Sequence, residues 1–107
     1  KVVVLNTETR EIGERFAGGG PARKTTIKNG DDELKVSTGK QKVEIAIDQN
    51  TKVGKEVVIE AGLKLTLKVG GSSIEITPAG ITITGTAKVD INGGAMLTEK
   101  AGMIRLN

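Results

Sequence analysis

The chain has 107 residues with Lys+Arg 16 against Asp+Glu 13, a formal net charge of +3, and is 36% hydrophobic with Phe16 as its one aromatic residue. It contains no cysteine and no histidine, which removes disulfides, thiolate chemistry, Cys-type zinc sites and the usual general base near neutral pH. The near balance of charge concentrates no basic surface, so nucleic acid is not an expected partner, and the lack of aromatic anchors argues against a conventional globular core.

Residues 1–24 do not share the repeat that organises residues 25–107 and read as a linker. Val2 to Leu5 has the composition of a strand or pairing segment, Thr7 to Phe16 that of a short helix or an extended connector, and Gly18-Gly19-Gly20-Pro21 that of a flexible joint. Ile12 and Phe16 have helical spacing without a convincing cap. Gly18 to Thr25 superficially matches a phosphate-binding loop, but Arg23 occupies the place of the required glycine and a strand pattern succeeds it in place of a helix. Lys1 as the first residue is expected of a piece of a longer protein.

From residue 25 to 107 the chain keeps an eight-residue repeat. Glycine recurs at Gly30, Gly54, Gly62, Gly70, Gly94 and Gly102, always at multiples of eight, and Thr38, Ala46, Pro78 and Thr86 fill the vacant places. Asp31-Asp32-Glu33 beside Gly30 lacks the spacing of a calcium loop and reads as a solvated turn. Between the glycines the apolar residues alternate, at Val43-Ile45-Ile47, Val57-Ile59-Ala61, Leu63-Leu65-Leu67-Val69 and Ile81-Ile83, with Lys, Glu or Thr mostly between them. This period of two predicts strands with one dry and one wet face.

The dry face keeps to odd numbers as far as Gly70-Gly71-Ser72-Ser73, turns even at Ile74 and Ile76, and returns to odd after Thr77-Pro78-Ala79-Gly80. A bulge or kink at each of those points is the expected means of keeping the apolar side inward. Gly93-Gly94 lacks the partners of a calcium-binding β-roll and reads as another bend. Met96, Leu97, Met103, Ile104 and Leu106 crowd the last octads, either as further core or as a blunt end that docks a partner.

Short strands joined by a bend every eight residues describe a chain that winds. A single-chain solenoid and three chains around one axis both satisfy the repeat, but ten octads in one copy enclose only a thin aliphatic interior between open edges. The expected fold is therefore all-β, a parallel homotrimeric β-helix or prism over residues 25–107. Its ten octads, advancing about 4.8 Å each, would give a shaft on the order of 50 Å. No serine has a histidine to activate it and the carboxylates fall on wet faces or turns, so no catalytic, cofactor or metal residues are expected and the chain is read as a non-enzyme. No apolar run approaches the ~20 residues that span a bilayer, nor is there a signal-peptide pattern.

Gly70-Gly71-Ser72-Ser73-Ile74-Glu75-Ile76-Thr77-Pro78-Ala79-Gly80-Ile81-Thr82-Ile83-Thr84-Gly85 resembles a segment of the C-terminal region of VgrG proteins, the spikes of type VI secretion systems, and residues 21–107 as a whole share that likeness. The family is related to the spikes of contractile bacteriophage tails. The resemblance implies a trimeric β-helical needle standing on a collar domain, of which residues 1–24 would be the tail, and a mechanical role in puncturing a target membrane. It further implies a PAAR-repeat tip protein docked at Met103, Ile104, Arg105, Leu106 and Asn107, carriage of effectors, and delivery by a non-classical route after assembly in the cytoplasm. Some phage spikes bind iron through histidines at a pointed tip; without histidine, a separate cap is expected here. The competing reading is a phage tail spike or adhesin stalk, which lacks the exposed aromatic rings that glycan binding wants.

Overall fold

The computed structural model describes residues 7–13 and 19–107. The chain divides into two units, Lys1–Gln49 and Asn50–Asn107. Among the described residues it is all-β, without a helix. Residues 7–13 are not helical, which removes that part of the helix considered for Thr7 to Phe16. Two apolar residues spaced around Gly13, without a cap, offer too little to offset helix nucleation. Phe16, Gly18 and the Val2 to Leu5 segment lie outside the described residues.

In the first unit the described backbone forms no helix or strand and bends at Gly20, at Ala22, at residues 28–30, at 37–39 and at 46–47. Gly19 and Gly20 before Pro21 take positive φ of 83° and 79°, a conformation that L side chains rarely adopt. In the second unit the interruptions fall at 54–55, 62–63, 70–71, 78–79, 86–87, 94–95 and 102. Each place of the octad register from Gly30 to Gly102 thus lies in a bend or turn, whether a glycine, Thr38, Ala46, Pro78 or Thr86 occupies it.

The second unit also holds the sheet. Strands β1 (Leu65–Val69), β2 (Ser72–Thr77) and β3 (Gly80–Thr84) form an antiparallel meander in the order β1-β2-β3. Leu65 pairs with Ile76 and Leu67 with Ile74 across the first ladder; Ile74 pairs with Ile83 and Ile76 with Ile81 across the second. These branched and aliphatic residues suit a pleated surface, and direct cross-strand partners share a face.

The two changes of face are therefore hairpins, which corrects the expected bulges. Gly70-Gly71 joins β1 to β2 and Pro78-Ala79 joins β2 to β3, each a two-residue turn. A two-residue turn pairs odd positions with even ones, so odd, even and odd apolar sets come to lie on one face with no residue left over. Gly70 has φ 57°, the sign that hairpin turns of the primed type require at their first central position. Pro78 stands where its fixed φ pre-forms a type I or II turn, and the Thr77 hydroxyl donates to the Gly80 carbonyl at 3.3 Å across it.

No side chain among the described residues is buried. The chain exposes 11885 Å². A compact protein of its 11.2 kDa exposes about 5,700 Å² and an unfolded one about 16,000 Å². Backbone order without a core is the main feature of this fold.

Candidate assembly surface

The meander sorts its side chains by face. Leu65, Leu67, Ile74, Ile76, Ile81 and Ile83 occupy one side, and Thr66, Lys68, Ser73, Glu75, Thr82 and Thr84 the other. Lys64 and Glu75 form an ion pair at 3.6 Å on the polar side, joining an even position of the chain before β1 to an odd one on β2. Lys42–Glu44 at 3.5 Å and Lys88–Asp90 at 3.1 Å are pairs two residues apart beside the apolar Val43 and Val89. All three pairs remain open to solvent, so each contributes only about 0–1 kcal/mol.

Burial is inverted relative to an ordinary sheet. On the central strand the polar Ser73, Glu75 and Thr77 are half-buried, whereas Ile74 and Ile76 on the aliphatic face are each 39% exposed. The aliphatic face continues past the strands: Val89 joins Leu67, Ile74 and Ile83 around one hollow, and Ile59 and Leu63 join Leu65 and Ile76 around another. Water is a poor partner for such a face, since removing it from water is worth about 25 cal/mol per Å².

The glycines divide into two kinds. A Cβ added at the octad glycines Gly30, Gly54, Gly62, Gly70, Gly94 or Gly102 meets nothing within 4 Å, and Gly30, Gly70 and Gly94 have positive φ. At Gly71 the added Cβ lies 2.6 Å from Thr86 Oγ1, and at Gly85 and Gly93 it runs into the backbone of Lys88 and Met96. The close approaches thus fall on glycines outside the octad register, which the repeat does not single out. Thr86 is held there by its own backbone N–H, which donates to Ser72 Oγ at 3.2 Å. This clasp joins residues fourteen apart in sequence, a separation at which no local pattern signals contact.

The Met103–Asn107 segment belongs to no strand and is exposed throughout, with Met103 at 73% and Leu106 at 88%. It comes after a turn in which Gly94 N–H donates to Asn92 Oδ1 at 2.9 Å and Met96 N–H to the Gly93 carbonyl at 3.4 Å. Asp31, Asp32 and Glu33 are exposed, and among the described residues no group of three or more His, Cys, Asp or Glu could hold a metal ion. No helix among the described residues is long and apolar enough to cross a membrane. No family model, curated protein or solved structure matches the chain.

Proposed function

We propose that the chain is one strand of a homotrimeric β-helical spike of the VgrG kind, a mechanical element whose Met103–Asn107 segment docks a PAAR-type tip protein. The observation that carries the reading is that no large aliphatic side chain among the described residues is buried and all but the half-buried Leu65 are exposed, set on a backbone that bends every eight residues. The surface exceeds that of a compact protein of this mass by roughly 6,000 Å². A standard interface hides only about 800 Å² per partner, so the excess suits partners that accompany the chain along its length.

Further copies of the same chain meet that requirement with no new chemistry. Their aliphatic faces would form a common interior, while Lys64, Lys68, Glu75, Thr82 and Thr84 remain on the outside and oppose lateral aggregation. A spike of this kind carries thrust through many backbone hydrogen bonds between strands, and its contact with a target membrane is transient. The exposed Met103, Ile104 and Leu106 supply an apolar patch for the tip protein, flanked by Arg105.

The docking is tested by capture of a PAAR-repeat protein on the immobilised chain, with and without residues 104–107. Capture by the full chain, lost on deletion, is the expected result. Absence of capture, or capture indifferent to the deletion, overturns the docking role.

A further inference from the structure

We infer that residues 65–84 form a block of the assembled spike in which chains are not interwoven, each chain supplying one whole face of the prism as its own antiparallel sheet, with the aliphatic side laid against the same face of two other copies. The inference rests on the trimeric reading and adds to it how the strands are shared.

In a uniformly wound shaft, consecutive octads of one chain pass to successive faces and every strand finds its neighbours in other chains. The meander does otherwise. Its two ladders, Leu65 to Val69 with Ser72 to Ile76 and Ser73 to Thr77 with Gly80 to Thr84, are satisfied within a single chain. Six residues of β2 and the two of the next turn make one octad, so the reversals at Gly70 and Pro78 stay on the eight-residue register and pass it unchanged to Thr86 and Gly94. Three antiparallel strands also leave β3 running in the direction of β1. An odd number of strands therefore lets the chain resume winding in its original sense, which a single hairpin would not.

The chemistry and extent of the aliphatic face determine its occupant. Leu65, Leu67, Ile74, Ile76, Ile81 and Ile83 present branched aliphatic groups without an aromatic ring or a charge. Three such faces fit a narrow closed interior, and a copy of the chain brings the same face at the same height. The outer edges of β1 and β3 have no partner strand among the described residues. Those rows of N–H and C=O groups are placed to pair with octads of the other chains above and below the block. Because its hydrogen bonds are local, the block can form within one chain and then set the register in which three chains meet.

The test traps the pairing in the full chain carrying Lys68→Cys and Ser73→Cys. These positions face each other one pair beyond the Gly70-Gly71 turn, on the polar side. In a two-residue hairpin that pair lacks mutual hydrogen bonds and has Cα atoms about 4.5 Å apart, within disulfide range. The assembled protein is oxidised, its native mass is measured by sedimentation, and it is then denatured without reductant for electrophoresis. The expected result is a three-chain native mass, a single-chain band and no free thiol. Two- or three-chain bands, or free thiols, in a three-chain particle overturn the inference and leave the trimer standing. A native mass of one or two chains for the unsubstituted protein overturns both. Thr66→Cys with Glu75→Cys, two pairs further along the same ladder, repeats the measurement should the first variant fail to fold.

Discussion

Leu67 and Ile74 stand directly opposite each other across β1 and β2, one at an odd and one at an even position, and Ile74 in turn faces Ile83 on β3. This row of three gives the sheet one aliphatic side although the alternation changes phase twice along the chain. All three side chains are exposed, and the consequences of that exposure can be measured.

Substitutions at adjacent positions of β3 separate the two faces. Ile83→Lys places a charge on the aliphatic face and is expected to abolish the proposed three-chain particle at micromolar concentration, because an unpaired charge buried in an aliphatic interior costs several kcal/mol. Thr82→Lys, on the polar face, is expected to leave the mass unchanged. Equal behaviour of the two variants in sedimentation would contradict the assignment of faces.

The two turns make different demands on their residues. Gly70→Val forces a β-branched residue to φ 57° and should destabilise the fold by about 1–2 kcal/mol per chain, seen as a lower thermal midpoint. Gly80 has neither a positive φ nor a neighbour within 4 Å of an added Cβ, and it pairs with Thr77. Gly80→Thr should be neutral or stabilising by up to ~1 kcal/mol, since glycine weakens a strand.

The clasp between Ser72 and Thr86 can be monitored at one amide. Ser72→Ala removes the acceptor for Thr86 N–H, and Gly71→Ala puts a methyl group against the Thr86 hydroxyl. Each is expected to speed hydrogen exchange at Thr86, with a loss of about 0.5–1.5 kcal/mol of protection, and the double variant should add little to either. Additive effects would mean that the two substitutions act through separate contacts.

The strand period, the eight-residue register and the polar and apolar sets are legible in the sequence because side-chain alternation and glycine spacing are local properties. The nature of the phase changes is not. An inserted bulge residue and a two-residue reversal shift the alternation alike, and only cross-strand register separates them. The Gly70-Gly71 pair between two alternating runs is nevertheless a hairpin signal in its own right. The Ser72–Thr86 clasp and the crowding at Gly71, Gly85 and Gly93 depend on how the chain returns on itself, which spacing alone does not encode. For the candidate site, the sequence identifies the apolar residues of the aliphatic face and the Met103–Asn107 segment. It does not place Leu67, Ile74 and Ile83 opposite one another, because that requires the two ladders.

If other copies of the chain cover the aliphatic face, as proposed, sedimentation equilibrium of the intact protein over a range of concentrations will reveal them. The expected result is a particle of about three times 11.2 kDa that persists on dilution, as for an obligate assembly. A folded species of 11.2 kDa, stable at every concentration, would contradict it.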